Sequence, residues 1–195
     1  KQNKLDAFMS KLTEKMDALE EEKQSKDQLL DTIDKMRKAG WPRNLPTDDH
    51  PGMDLPSPLT KDATCELLEK LNEQARKETK KKKARNGIKD ILHAKYALQI
   101  ATGYMDIVRK LPSVVHVNTQ QSGKITVVGD LHGQLRDLIH IFRHNGMPSF
   151  DNPYLFNGDL VDRGDYSVEI VLLLFGFAVA DPGSVYINRG NHEDM

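Results

Sequence analysis

Residues 113–195 of this 195-residue sequence predict an α/β domain built on a parallel sheet. The first observation is the alternation of β-rich runs and helical stretches in the order β-α-β-α-β, which is typical of parallel strands joined by right-handed crossovers. The second is that three predicted strands end in Gly followed by Asp or Asn. The third is the apolar run Ile170–Ala180, which is too short for a membrane helix.

The predicted elements of this domain begin after Pro112, which ends the preceding helix. Two β-rich runs come first, at residues 114–117 and 125–128, around a turn at 121–123. The remaining elements follow in the order helix, strand, helix and strand, at about residues 134–145, 153–157, 166–180 and 184–188.

Residues 1–39 predict one amphipathic helix that precedes the domain. Its apolar residues alternate in spacings of four and three, as in a coiled-coil seam: Leu5, Met9, Leu12, Met16 and Leu19. Lys23 and Lys26 interrupt the seam, so two hypotheses stay open. The helix binds a partner helix or a second copy as a short coiled coil, or it is a solvated helix.

Residues 40–59 contain five prolines and predict a linker or extended arm. Residues 60–112 predict a helical lead-in, with Thr60 as the N-cap of one helix and a second helix from about residue 88 to 111. Between them lies the basic run Lys80–Arg85, which indicates a solvated helix end or, as the alternative, a nuclear-import signal.

Composition excludes several classes of protein. Cys65 is the single cysteine, so an internal disulfide cannot form and a reducing compartment, the cytoplasm or the nucleus, is expected. Residues 61–95 carry 11 basic and 6 acidic side chains, whereas residues 96–195 carry 7 and 11, which disfavours a uniformly basic nucleic-acid binder. The N-terminus has no signal-peptide stretch and does not begin with Met, so we expect a soluble fragment without a membrane anchor.

The three predicted strand ends carry residues that bind metal ions, and parallel strands bring such ends to one edge of the sheet. Asp130 and His132 are two residues apart, so in extended backbone they can chelate one ion. Asp159 can bridge that ion to a second one, to which Asn191 offers a carbonyl oxygen. Oxygen and imidazole ligands together suit Mn, Fe or Zn, and two such ions hold a hydroxide and neutralise a phosphoryl dianion.

The same strand ends carry candidates for phosphate binding and proton transfer. Arg163 has a planar fork that matches two phosphate oxygens. His192 is the candidate general acid for the leaving alkoxide, with Asp162 orienting its ring. Glu193 is expected to support the site by hydrogen bonding. The alternative for each residue alone is a turn former, a helix cap or a surface ion-pair residue. The combination of three such turns favours a site.

The motifs GDLHG (129–133), GDLVDRG (158–164) and GNHE (190–193) closely resemble the metal-dependent phosphoprotein phosphatases, whose blocks read GDxHG, GDxxDRG and GNHE. The resemblance implies the N-terminal half of a calcineurin-like metallophosphoesterase β-sandwich. It implies Asp130, His132 and Asp159 on one metal, Asp159 and Asn191 on the other, and Arg163 on phosphate. It also implies hydrolysis of phosphoserine and phosphothreonine by a hydroxide that bridges two divalent ions, with Mn favoured and Fe or Zn as alternatives.

The flanking residues resemble the EF-hand-bearing branch of that family, through residues 92–100, 145–148 and 152–159. The tetratricopeptide-bearing phosphatase is the alternative, and Phe175-Gly176-Phe177 favours it. The resemblance leaves calcium or calmodulin control open, although neither an EF-hand loop nor a 34-residue helical repeat occurs in the sequence.

In the family, two further histidines and an arginine lie downstream of these blocks, and this sequence contains no counterpart before Met195. We therefore expect a fragment that is itself nearly inactive and holds at most one tightly bound ion, and whose complete form acts on a phosphoprotein substrate. Two alternatives stay open: a non-catalytic coiled-coil binding protein with an incomplete phosphatase domain, and a nucleotide-cleaving metallophosphoesterase.

Overall fold

The computed structural model describes residues 50, 52–81 and 88–193, together with five isolated helical positions between residues 24 and 38. The chain divides into two compact units, Lys1–Pro46 and Thr47–Met195. Most of the helix predicted over residues 1–39, and the side chains of the basic run Lys80–Arg85, lie outside the described residues. The coiled-coil hypothesis therefore stays a prediction.

The second unit contains, among its described residues, four α-helices, a short 3-10 helix at Ile88–Asp90 and three strands. They follow one another as α1 (Lys61–Lys81), α2 (Ala94–Val108), β1 (Thr126–Val128), α3 (Leu135–Asn145), β2 (Tyr154–Phe156), α4 (Ser167–Ala180) and β3 (Val185–Ile187). In the part of the chain that is described, no helix combines the length and apolarity needed to cross a bilayer.

The three strands form a parallel sheet in the order β1-β2-β3, which confirms the predicted α/β class. Val128 pairs with Phe156, and Phe156 pairs with Ile187. Because these residues are the last of their strands, the three carboxyl ends are in register. The loops that follow therefore leave the sheet at the same edge.

The core of this unit lies where the sheet packs against α3 and α4. Phe142 of α3 makes edge contacts with Tyr154 and Phe156 of the sheet and with Phe177 of α4, at ring separations of 5.3, 6.5 and 5.6 Å. These four aromatic side chains are at most 1 % exposed. Burial on this scale stabilises the fold by about 2 kcal/mol for each large apolar side chain, and it holds the strand ends in place.

The helical lead-in packs against α4. The ring of Tyr104 on α2 stacks on Phe175 of α4 at 3.9 Å. Thr60, predicted as an N-cap, accepts a hydrogen bond from the backbone N–H of Ala63 at the start of α1. The predicted helix from residue 88 is wrong at its start, since a 3-10 turn comes first and α2 begins at Ala94, where His93 Nδ1 accepts from the backbone N–H of Lys95.

The β-rich run at residues 114–117 does not form a strand. Val114 is 68 % exposed and Val115 is 38 % exposed. A β-branched run is favoured in a sheet only when its side chains pack against neighbouring strands. These residues have no strand partner in the described chain, so their propensity alone does not produce a strand.

Residues 52–59, within the stretch predicted as a Pro-rich linker, contribute to the core. Met53 donates its backbone N–H to the carbonyl of Ile91 at 2.8 Å, and Met53, Leu55 and Leu59 are buried. Tyr96 on α2 donates its hydroxyl to Asp54 at 2.6 Å. This hydrogen bond, together with burial, raises the pKa of Tyr96. The end of the Pro-rich stretch is thus attached to the helical lead-in.

Cys65 lies half-buried on α1, and burial raises the pKa of its thiol, with Lys61 opposing the shift and Asp62 and Glu69 adding to it. Because the thiolate is the reactive form, we expect iodoacetamide to alkylate Cys65 more slowly near neutral pH than a short peptide with the same sequence. The rate profile, measured by mass spectrometry from about pH 7 to 10, should be displaced to higher pH. The urea-unfolded chain is the control, and identical profiles for folded and unfolded chains would contradict the prediction.

Candidate active site

The loops that follow β1 and β2 are joined by backbone hydrogen bonds, three of which connect the GDLHG and GDLVDRG motifs directly. The N–H groups of Leu131 and His132 donate to the carbonyl of Asp159 at 3.0 and 2.9 Å. The N–H of Gly133 donates to the carbonyl of Leu160 at 2.8 Å. These bonds set the separation between the GDLHG and GDLVDRG motifs, which are distant in sequence.

Two pairs of glycines allow the loops to approach at backbone distance. A Cβ atom on Gly133 would lie 2.5 Å from the carbonyl oxygen of Gly164. A Cβ atom on Gly158 would lie 2.3 Å from the backbone nitrogen of Gly190. No side chain fits at such distances, so these glycines are required because other loops occupy the space.

Four residues other than glycine adopt left-handed backbone conformations in these loops. They are His132, Asp159, Asp162 and Arg163, with φ of 41°, 51°, 66° and 61°. Such conformations cost about 1–3 kcal/mol each and cluster at functional sites. All four are residues that the sequence marks as candidates for metal binding, phosphate binding or proton transfer.

Glu193 connects the loops after β2 and β3. Its carboxylate accepts hydrogen bonds from the backbone N–H groups of Asp159, Leu160 and Gly190 at 2.8, 2.7 and 2.7 Å. Desolvation acts to raise the pKa of this carboxyl, but backbone hydrogen bonds, including one from Val161, outweigh it and lower the pKa. The predicted supporting role of Glu193 in hydrogen bonding is confirmed.

His132, Asp159 and His192 form a group of potential metal ligands, in which one donor atom from each residue lies within 4.8 Å of the others. His132 Nδ1 lies 2.8 Å from the carbonyl oxygen of Val161. Since a carbonyl only accepts, this nitrogen carries the proton and Nε2 presents its lone pair. That is the tautomer required of a metal-ligating histidine whose other nitrogen is held by a hydrogen bond.

The His192 ring contacts both proposed partners in proton transfer and phosphate binding. Its Nδ1 lies 2.8 Å from Asp162 Oδ2, and its Nε2 lies 3.3 Å from Arg163 Nη2. Because the guanidinium only donates, Nε2 accepts there and Nδ1–H donates to the carboxylate. Asp162 therefore orients the ring and holds its proton on Nδ1.

Two of the sequence-predicted metal ligands lie at the margin of this group. Asp130 has a side chain that is 60 % exposed, with Oδ2 3.6 Å from His132 Nε2. Asn191 is exposed. The ring centroid of His192 lies 4.8 Å from that of His132. His116 is exposed and lies outside this group.

Sequence reasoning missed one contact that supports the loop after β2. Tyr166 donates its hydroxyl to Glu78 of α1 at 2.7 Å, and its backbone N–H donates to the carbonyl of Gly133 at 3.1 Å. Glu78 precedes Tyr166 by 88 residues. A local pattern therefore contains no signal that relates them.

The parallel strands and the aligned loops are similar to those of a calcineurin-like phosphoesterase domain. Residues 123–195 match the family model of the calcineurin-like phosphoesterases. Divalent metal ions are implied for this class, and the imidazole of His132 with the carboxylates of Asp159 and Asp130 fits them, because imidazole and carboxylate ligands together suit transition metals such as Mn, Fe or Zn.

The relatives of this chain are serine/threonine-protein phosphatases. Serine/threonine-protein phosphatase 5 of Arabidopsis thaliana is 54 % identical over 102 residues, which are 52 % of this chain and 19 % of the relative. Serine/threonine-protein phosphatase T of Aspergillus oryzae is 41 % identical over 146 residues, which are 75 % of this chain and 27 % of the relative. Human serine/threonine-protein phosphatase with EF-hands 1 is 40 % identical over 148 residues, which are 76 % of this chain and 20 % of the relative.

A solved structure has the same fold over half of this chain. It is a protein serine/threonine phosphatase from Saccharomyces cerevisiae with similarity to human phosphatase PP5. The TM-score is 0.50 at 40 % identity, and the match covers 53 % of this chain and 34 % of the yeast chain. The chain is thus homologous to the serine/threonine-protein phosphatases, and it spans about a fifth to a quarter of the length of the curated relatives above. A phosphatase with EF-hands is among the relatives, and the preference for the EF-hand branch over the tetratricopeptide-bearing one stays a prediction.

Proposed function

We propose that this chain supplies metal-binding, phosphate-binding and proton-donating residues of a protein serine/threonine phosphatase. The observation that carries the proposal is the convergence of His132, Asp159 and His192 at the carboxyl ends of three parallel strands, with Asp162 hydrogen-bonded to His192. The homology to protein phosphatases supports phosphoserine and phosphothreonine in proteins as the substrate, in preference to nucleotides.

We assign Asp130, His132 and Asp159 to one divalent cation, and Asp159 and Asn191 to a second. Manganese is our preferred ion, with iron or zinc as alternatives. When bound, the cations supply an activated water and offset the negative charge of the phosphoryl group. The hydrogen bond from His132 Nδ1 to Val161 keeps Nε2 available to the first cation.

The protein groups around the cations have separate tasks. Arg163 binds two phosphoryl oxygens through its guanidinium and so orients the phosphorus atom. In this step Arg163 turns from His192 Nε2 to the phosphoryl oxygens, and Nε2 then carries the proton that it donates to the leaving serine or threonine oxygen, while Asp162 accepts from Nδ1 and stabilises the imidazolium. Glu193 holds the loops together through the backbone of Asp159 and Gly190.

The donors in the described residues are unevenly divided between the two cations. The first has three protein ligands, whereas the second has Asp159 and Asn191 alone. We therefore expect the 195-residue chain to bind one Mn²⁺ tightly and to hydrolyse phosphoesters slowly. Two stoichiometric tightly bound ions, together with rapid hydrolysis, would contradict this division of the ligands.

His192→Ala tests the role of the proton donor. We expect it to lower turnover of a phosphoserine peptide by at least about 100-fold, since general acid catalysis contributes about 10²–10⁴-fold, while Mn²⁺ content is unchanged. Turnover is best measured in a chimera that joins residues 52–193 to the remaining catalytic part of the homologous yeast phosphatase. Metal content is measured in both the chimera and this chain.

His116→Ala is the matched control, because His116 is an exposed histidine outside the site and its replacement should leave turnover unchanged. Loss of Mn²⁺ from the His192→Ala variant would make His192 a ligand and overturn its assignment as proton donor. Hydrolysis of a dinucleoside polyphosphate in preference to the phosphopeptide would overturn the substrate class.

A further inference from the structure

A groove lined by basic residues lies between α1 and α3, outside the candidate active site. The groove has a volume of about 340 Å³, which is within the range of small-ligand sites. Six residues line it: Asn72, Arg76, Arg136, Ile139, His140 and Arg143. Three of the six are arginines and none is acidic.

The spacing of these residues places them on two facing helix surfaces. Arg136, His140 and Arg143 are separated by four and three positions on α3, and Asn72 and Arg76 are four apart on α1. Residues at these spacings lie on the same side of a helix. The side chains therefore form the two walls of one groove.

The floor and the rim of the groove differ in exposure. Asn72 and Ile139 are 6 % and 4 % exposed and form the floor, whereas the arginines at the rim are exposed. A buried floor keeps water away and so lowers the local dielectric constant, which strengthens the attraction between the guanidinium groups and an anion.

In their described ion pairs and hydrogen bonds, the acidic residues of α1 contact partners other than the arginines of the groove. Glu66 pairs with Lys70 and Glu73 with Lys77, while Glu78 accepts hydrogen bonds from Gln74 and Tyr166. Glu69 accepts from Asn72 at 3.3 Å. On α3, Asp137 is exposed and does not line the groove. The guanidinium groups of Arg76 and Arg143 are thus left available to an external anion.

We propose that the groove between α1 and α3 is a binding site for a phosphoryl group, distinct from the candidate active site. The planar guanidinium forks of Arg76 and Arg143 match phosphoryl oxygens, and Asn72 and His140 can add hydrogen bonds. Two sources share this chemistry: free phosphate, and a phosphorylated side chain of a protein.

The test titrates the 195-residue chain with inorganic phosphate and, separately, with a phosphoserine peptide. Binding is monitored through backbone amide NMR shifts of α1 and α3, which separates the groove from the strand ends. Arg76→Gln/Arg143→Gln should weaken binding at α1 and α3 by about tenfold or more, equivalent to about 1.4 kcal/mol. Arg76→Lys/Arg143→Lys should weaken it less, because charge is kept and the fork is lost.

Lys110→Gln/Lys124→Gln removes the same charge at exposed positions outside the groove and is the matched control, expected to bind within about twofold of the original chain. Tighter binding of the phosphopeptide than of phosphate supports a phosphorylated side chain as the source, and equal binding supports free phosphate. Absence of shifts in α1 and α3 at millimolar ligand would overturn the proposal. An arginine-to-glutamine pair that binds as well as the original chain would also overturn it.

Discussion

Asp159→Ala is expected to lower the affinity of this chain for Mn²⁺ by at least about 100-fold, since even residues that only orient metal ligands are worth about 10–100-fold. Asp159 offers a carboxylate to the group formed with His132 and His192. Its Oδ1 also accepts the backbone N–H of His192 at 3.0 Å. The substitution therefore removes a ligand and releases the loop after β3 at the same time.

The affinity is best measured by isothermal titration of Mn²⁺ into the folded chain, with circular dichroism as the check on folding. The Mn²⁺ affinity of Asp159→Asn should lie between those of Asp159→Ala and the original chain. In this variant the side-chain oxygen can still accept the hydrogen bond from the His192 N–H, but the negative charge is lost. Asp151→Ala, at an exposed turn, is the matched control and should change the affinity less than about twofold. Unchanged affinity in Asp159→Ala would place the cation elsewhere.

Gly158→Ala is expected to lower the free energy of unfolding by about 3 kcal/mol or more, as overpacking and backbone strain add. The φ of Gly158 is +87°, a conformation that side chains disfavour by about 1–2 kcal/mol. In addition, the new Cβ would lie 2.3 Å from the nitrogen and 2.5 Å from the Cα of Gly190. Backbone atoms cannot move aside as a flexible side chain does, so the loops after β2 and β3 would have to separate.

The variant Gly123→Ala separates the cost of a positive φ from the cost of the steric overlap with a neighbouring loop. Gly123 also has a positive φ, of +68°, but a Cβ at that position meets nothing within 4 Å. In this control the free energy of unfolding should fall only by the cost of the positive φ, about 1 kcal/mol. Urea unfolding of both variants measures the difference. Equal losses in the two variants would show that the close approach of Gly158 and Gly190 does not limit stability.

Local patterns were sufficient for the helices of the sheet domain and for its three strands, but not for the run at residues 114–117. The strand predicted at 153–157 is observed at Tyr154–Phe156, and the helix predicted at 166–180 is observed at Ser167–Ala180. Such elements are predictable because the apolar period and the Gly and Pro boundaries lie within the segment itself. Prediction from local patterns was weaker where the structure of a residue depends on a partner that is distant in the sequence. Val114 has strand propensity without a neighbouring strand, and Met53 is buried by the distant Ile91 and Leu92.

The fold class and the candidate residues could be predicted from the order of the residues alone. These candidates all stand in turns that directly follow predicted strands: Asp130, His132, Asp159, Asp162, Arg163, Asn191 and His192. Which of them come into contact depends on how the folded loops pack. The tertiary structure brings His192 to His132 and Asp159, leaves Asp130 exposed, and ties Glu193 to the backbone of two loops. The physical reason is that these contacts depend on glycine-to-glycine approaches and strained backbone conformations, which the packing of separate loops imposes and no single segment encodes.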